Sequence, residues 1–91
     1  MADAWVYMLR CRDGSLYTGW TNDLERRISR HADGKASRYT ASKLPVELVA
    51  AWPMPTRGAA MREEARIKRL SRVEKLALVA SASAQAPAAA G

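Results

Sequence analysis

Ninety-one residues make one small domain and not two, because halves of that length fall below the size at which a core stabilises itself. Fifteen Lys/Arg against nine Asp/Glu give a formal net charge of +6, which favours a polyanionic partner through counterion release and electrostatic steering without separating DNA from RNA, an acidic protein or a membrane surface. A single cysteine excludes an intramolecular disulfide and a cysteine-based structural zinc site, and a single histidine argues against a catalytic zinc centre.

The first ten residues, MADAWVYMLR, hold no apolar run of signal-peptide length, and no stretch reaches the roughly twenty apolar residues that span a bilayer. A soluble, cytoplasmic protein is the expectation. AWVYML and SLYTG are β-branched, aromatic and aliphatic, and Arg12-Asp13-Gly14 between them carries a turn signal, so the two runs read as a β-hairpin. Two registers are open. A two-residue loop at Asp13-Gly14 places Tyr7 and Tyr17 on opposite faces. A three-residue loop over Arg12-Asp13-Gly14, with Gly14 left-handed, pairs Leu9 with Tyr17 and brings both tyrosines to one face, and a glycine as the last loop residue suits it. TNDLERRISRH reads as a short helix with Asn22 as N-cap, Glu25 three residues on, and Leu24 and Ile28 as its apolar stripe. ADGKASRYTASKLP reads as a basic loop whose Gly34, small residues and Pro45 discourage regular structure.

VELVAAW is the third strand, expected to stop at Pro-Met-Pro. Thr56 caps a helix reaching about Leu70, and Ser71 with Glu74 forms a capping box that opens a short final helix, RVEKLALVA. Eighteen alanines inflate the apolar fraction, and six of them fall in the uncharged, aperiodic ending SASAQAPAAAG, read as a disordered tail over residues 81–91 behind a domain of residues 1–80. The order ββα, loop, βαα predicts an α+β domain: a small three-stranded antiparallel sheet flanked by helices. Its expected core is Val6, Met8, Leu16, Leu24, Ile28, Leu48, Val49, Ile67, Leu70, Leu76 and Val79.

Several side chains invite a chemical reading, each beside a bland one. Tyr7 and Tyr17 are either amphipathic packing residues or a pair of phenols on one face. Gly19, at the strand exit, is a simple turn or a place where another group comes close. Arg27 and His31 stack on one helix face, where a guanidinium fork suits phosphate oxygens, unless ERRISRH is only a solvated basic face. Glu64 leans toward the apolar stripe of its helix and needs a partner, either a divalent cation or Lys68 four residues on.

In chain order these residues resemble the GIY-YIG nuclease domain over about Trp5 to Val79. The first triplet corresponds to Trp5-Val6-Tyr7 and the second to Tyr17-Thr18-Gly19, with the helix signature in TNDLERRISRH and the metal glutamate in AAMREEARIKRLS. The length, GKASRYT and IKRLSR look most like small stand-alone bacterial members related to the N-terminal nuclease domain of the bacterial excinuclease. The resemblance implies that Tyr7 and Tyr17 line the active face, one of them orienting or deprotonating the attacking water. It further implies that Arg27 neutralises the scissile phosphate, His31 assists, and Glu64 holds a single Mg²⁺ or Mn²⁺. Trp5 departs from the glycine of the family name, Trp20 follows the second triplet, and EKLALVA lacks a polar residue that some members carry near the C-terminus.

The implied activity is metal-dependent hydrolysis of phosphodiester bonds in DNA, structure-directed or weakly selective, in repair or recombination. The alternative is a nucleic-acid-binding module that keeps the fold and cuts poorly, with RNA as a further ligand, and a third reading is an adaptor that needs a protein partner. Arg26, Arg30, Lys35, Arg38, Tyr39 and Lys43 are the expected nucleic-acid contacts, since loops carry function and a tyrosine among cations stacks bases.

Overall fold

The computed structural model describes residues 2–85. Seven elements follow one another: β1 (Ala4–Arg10), β2 (Leu16–Thr21), α1 (Leu24–Ala32), α2 (Arg38–Ala41), β3 (Glu47–Met54), α3 (Arg57–Lys68) and α4 (Arg72–Gln85). The strands form one antiparallel sheet in the order β2-β1-β3, so the fold is α+β with a three-stranded sheet, as the sequence predicts.

The hairpin takes the three-residue loop. Cys11 N–H donates to the Ser15 carbonyl at 2.9 Å, Gly14 N–H donates to the Cys11 carbonyl at 2.9 Å, and Gly14 sits at φ +87°, where a side chain would be strained. Leu9 consequently faces Tyr17, and Tyr7 faces Gly19.

Alternation then sorts β1 onto two faces. Ala4, Val6 and Met8 join Ala50, Ala60, Ile67 and Val79 in the buried core, so α3 and α4 cover that side. Leu16, Trp20, Val49, Trp52, Met54, Leu78 and Ala82 pack around it, which answers for two of the three tryptophans in a chain without phenylalanine. The opposite face carries Tyr7 and Leu9, both fully buried, beneath the segment containing α1 and α2.

Several expectations are corrected. The N-cap of α1 is Asp23, whose carboxylate accepts from Arg26 N–H, while Asn22 is exposed; adjacent Asn and Asp compete for one cap, and Thr21 settles it by accepting from Asp23 N–H at 3.1 Å. The basic loop contains the single turn α2, because Ser37 caps it by accepting from Tyr39 N–H. β3 runs through Pro53 to Met54, since a ladder tolerates proline on an edge strand. The helix opened by Thr56 stops at Lys68, short of Leu70.

Leu48 is 42% exposed and not core. A bulge in the β1–β3 pairing falls between Met8 and Leu9, so Ala50 pairs with Met8 but Leu48 pairs with Leu9; the extra residue, Val49, packs on the core instead. Leu76 is 39% exposed because the inward stripe of α4 is Leu78, Val79 and Ala82. Leu24, Ile28 and Leu70 are half-buried. The Ser71–Glu74 capping box forms as expected, with Glu74 N–H donating to Ser71 Oγ at 3.2 Å and Ser71 N–H donating to Glu74 Oε1 at 3.0 Å. The helix it opens continues to Gln85, into the segment expected to be disordered, and the rest of that segment lies outside the described residues. Among the described residues no helix is long and apolar enough to cross a membrane.

Candidate functional site

Tyr7 and Tyr17 come to one face because the three-residue hairpin loop fixes their register, and their ring centroids are 6.4 Å apart. Gly19 lies directly under the Tyr7 ring. A Cβ there would sit 2.6 Å from the Tyr7 hydroxyl oxygen and 2.8 Å from Cζ, so the glycine is a close-approach site, not a turn requirement.

The Tyr7 ring ends against His31. The two share a hydrogen bond of 2.7 Å between the phenolic oxygen and Nε2, and both residues have no exposed surface. The bland reading of His31 as a solvated helix-end residue is therefore wrong: α1 turns that side chain inward, onto the sheet. Its other nitrogen, Nδ1, lies 2.9 Å from the hydroxyl of Thr40, which is also fully buried and which bonds to the Ser37 carbonyl at 3.3 Å. Burial, and then the Arg27 charge, lower the His31 pKa, so the imidazole is neutral at physiological pH. Burial, reinforced by Tyr17, pushes the Tyr7 phenol up to about 12, with Arg27 pulling it back and Glu64 adding to the rise.

Half-buried Arg27 acts on both Tyr7 and His31, and the field of Glu64 reaches the same phenol. Tyr7, Tyr17 and His31 thus pack together, Arg27 of α1 acts on Tyr7 and His31, and Glu64 of α3 exerts the weakest of the influences on Tyr7.

Glu64 has its side chain 21% exposed and pairs with Lys68 at 3.3 Å, so the ordinary helical partner is present. Such an (i, i+4) pair contributes about 0.3–0.5 kcal/mol, little enough for a divalent cation to displace. Among the described residues no three His, Cys, Asp or Glu side chains gather as a metal cage. A lone carboxylate fits a hard cation that keeps most of its waters and takes further oxygens from a phosphate, as Mg²⁺ does, and does not fit zinc. Glu63, beside it, is committed to Arg66 through two hydrogen bonds of 2.8 and 2.7 Å.

The basic residues divide into two groups. Arg26, Arg27 and Arg30 line an open groove on α1 together with Thr21, Asn22 and Asp23. Arg30 also donates to the Lys35 carbonyl at 3.1 Å, tying the helix end to the following loop. Arg38 is exposed at the start of α2, and Lys35 borders it in a separate shallow depression. Lys43 is not a free loop cation: it bonds Asp13 at 2.9 Å and lies 4.1 Å above the Tyr39 ring. Tyr39, 42% exposed, stacks on Tyr17 with centroids 6.0 Å apart and planes inclined by 27°. The row Tyr7, Tyr17, Tyr39 therefore runs from the interior to the surface.

Sequence reasoning passed over Thr40 and Asp13. Thr40 stands three residues after Ser37, the spacing of a capped turn, and that signal was present in SRYT. Nothing in the sequence pairs Asp13 with Lys43, thirty residues away.

Comparison with known proteins identifies the family. The family model described as the GIY-YIG catalytic domain matches residues 3–77. A UPF0213 protein of Halalkalibacterium halodurans is 51% identical over 75 residues, covering 82% of this chain and 80% of the relative. One from Natronomonas pharaonis is 47% identical over 79 residues, covering 87% and 93%. Among solved structures, the solution NMR structure of a UPF0213 protein from Bacillus halodurans aligns with a TM-score of 0.57 at 49% identity, covering 85% of this chain and 82% of that one. An NMR structure of a protein from E. faecalis aligns with a TM-score of 0.61 at 31% identity, covering 96% of each.

Proposed function

Because the chain belongs to the GIY-YIG family, generally a nuclease fold, we propose that it hydrolyses phosphodiester bonds in DNA, with structure-directed or weakly selective cutting in repair or recombination. The observation that carries the reading is the buried 2.7 Å bond between Tyr7 and the neutral His31, set beside Arg27 and within the field of Glu64.

A phenol pushed up to about 12 is a poor proton acceptor in isolation, because its anion is scarce at neutral pH. A neutral imidazole in contact with its hydroxyl changes that. Tyr7 has no exposed surface in the free protein, so the attacking water must enter with the substrate; as it attacks phosphorus, one of its protons passes to the Tyr7 oxygen while the Tyr7 proton passes to His31 Nε2. The new P–O bond forms, the P–O bond to the leaving oxygen breaks, and that oxygen takes a proton from solvent. His31 afterwards returns its proton to solvent through Tyr7, so the site is restored. Arg27 would contribute the fixed positive charge facing the phosphate oxygens as negative charge builds on them, and its charge already acts on Tyr7 and His31. Tyr17 packs edge-on against His31, with centroids 5.1 Å apart, and holds the imidazole against rotation.

Glu64 is the residue that would hold Mg²⁺ or Mn²⁺, which when bound supplies Lewis-acid stabilisation of the phosphate and leaving oxygens. The groove of Arg26, Arg27 and Arg30 would seat the backbone, and the exposed edge of Tyr39 would offer a face to a base. A DNA-binding module without cutting is the competing reading, favoured by the Glu64–Lys68 pair.

The deciding experiment incubates the protein with nicked, branched and linear DNA, and with RNA, in the presence of Mg²⁺. Parent, Arg27→Ala and Glu64→Ala proteins are compared. Cleavage by the parent, reduced about 10²–10³-fold in Arg27→Ala and abolished in Glu64→Ala, is expected. Equal binding and no metal-dependent cutting by all three would favour the module.

A further inference from the structure

We propose that Thr40 is a positioning residue for this site: its hydroxyl holds His31 as the Nδ1–H tautomer, which leaves Nε2 free to accept the Tyr7 proton. The role in proton transfer rests on the phosphodiesterase reading above; the tautomer does not.

The direction of the chain of hydrogen bonds follows from its two ends. At one end is the Ser37 carbonyl, 3.3 Å from Thr40 Oγ1, and a carbonyl can only accept. Thr40 has one hydroxyl proton. Spent on Ser37, it leaves only lone pairs toward Nδ1, 2.9 Å away, so Nδ1 must carry the proton. At the other end the Tyr7 hydroxyl is fully buried, and His31 Nε2 is the side-chain partner found for it among the described residues. In the free protein the opposite tautomer would point an N–H at the Tyr7 oxygen and leave the buried phenolic proton with no acceptor among the described residues, at a cost in stability.

Local structure explains how a threonine in a basic loop reaches this position. Ser37 caps α2 and Thr40 completes the turn, so one short segment supplies both the hydroxyl and the carbonyl that orients it. The segment is clipped to the hairpin by the Lys43–Asp13 bond at 2.9 Å and by Arg12 N–H donating to the Lys43 carbonyl at 3.0 Å. The hairpin that aligns the tyrosines therefore also anchors the helix that orients the histidine.

His31 is the single histidine of the chain, so ¹⁵N imidazole spectra of the whole protein report on it alone. The parent is expected to show a protonated Nδ1 and an unprotonated Nε2. Thr40→Val keeps the shape but removes the hydroxyl; it should lose the dominance of that tautomer and about 10-fold or more in kcat, with KM unchanged. Thr40→Ser should restore both, and a melting curve on each variant separates misfolding from misorientation. Nε2–H as the main form in the parent overturns the proposal, as does full kcat in Thr40→Val. A parent with the expected spectrum that cuts no nucleic acid would overturn the phosphodiesterase reading, and with it the catalytic role, while the tautomer assignment stood.

Discussion

Replacing Gly19 with alanine tests the geometry of the site with a single methyl group. The added Cβ would lie 2.6 Å from the Tyr7 oxygen, 2.8 Å from Cζ and 3.2 Å from Tyr17 Cε2. Comfortable contact needs about 3.5 Å, so the Tyr7 ring must retreat by roughly 1 Å. The ring has no exposed surface, and its hydroxyl is already committed to a 2.7 Å bond with His31. A shift of that size spoils the geometry of that bond, by stretching it or by pressing the ring into His31, unless α1 follows. Overpacking at a buried site and loss of a buried hydrogen bond together cost about 2 kcal/mol or more. In a domain of this size that lowers Tm by roughly 8–16 °C. Gly14 provides the control for the opposite reason: an added Cβ there meets nothing within 4 Å, but its φ of +87° strains any side chain. Gly14→Ala should therefore lose about 1–2 kcal/mol while the Tyr7–His31 bond and DNA cleavage per folded molecule persist. Calorimetry, the histidine ¹⁵N spectrum and a cleavage assay on both variants read the contrast. A Gly19→Ala protein with unchanged Tm and an unchanged histidine spectrum would refute the close-approach role of this glycine.

Protonation of His31 should be visible in stability. Its folded-state pKa lies below the ordinary 6.5, so as pH falls the unfolded chain binds the proton first. Stability contributed here is level above about pH 7.5 and declines through about 6.5 toward the folded pKa, by up to ~1.4 kcal/mol per pH unit. Glu63 and Glu74, whose pKa values are lowered from 4.5 by hydrogen bonds to Arg66 and Ser71 respectively, act only at lower pH. A urea midpoint at pH 5.5 that matches or exceeds that at pH 7.5 would contradict a buried neutral imidazole. For binding, Arg26→Ala should weaken affinity similarly across DNA sequences and reduce the slope of log K against log[salt] by about 0.9, measured by fluorescence titration. An unchanged slope removes Arg26 from the backbone contacts. For the capping box, Ser71→Ala should cost about 1 kcal/mol in a denaturant melt and leave the cleavage rate of the folded protein intact.

What could be read in advance, and what could not, follows the range of the interactions. The hairpin register was legible only as two alternatives, of which Gly14 as the last loop residue suited the three-residue loop that forms and that carries Tyr7 and Tyr17 to one face. The Thr56 and Ser71 caps were legible because each side chain bonds a backbone N–H three residues on. Leu48 was misplaced because it was expected in the core together with its neighbour Val49, and the bulge that takes Val49 in and turns Leu48 out arises from pairing between strands roughly forty residues apart. The turn α2 was missed because Gly34, Ala36 and Pro45 weighed against structure, although Ser37 had the means to cap one turn.

His31 marks the division most clearly. The sequence by itself determined that an arginine and a histidine share a helix face, that two phenols can share a strand face, and that a glutamate leans inward on a later helix. These are consequences of helical and extended periodicity, which depend on neighbours a few residues apart. Only the tertiary structure decided that the imidazole would be dry, neutral and held between Tyr7 and Thr40, instead of charged in water at the end of a basic helix. Burial and partnership are properties of surfaces brought together from distant parts of the chain, and no local periodicity encodes which surface will meet which.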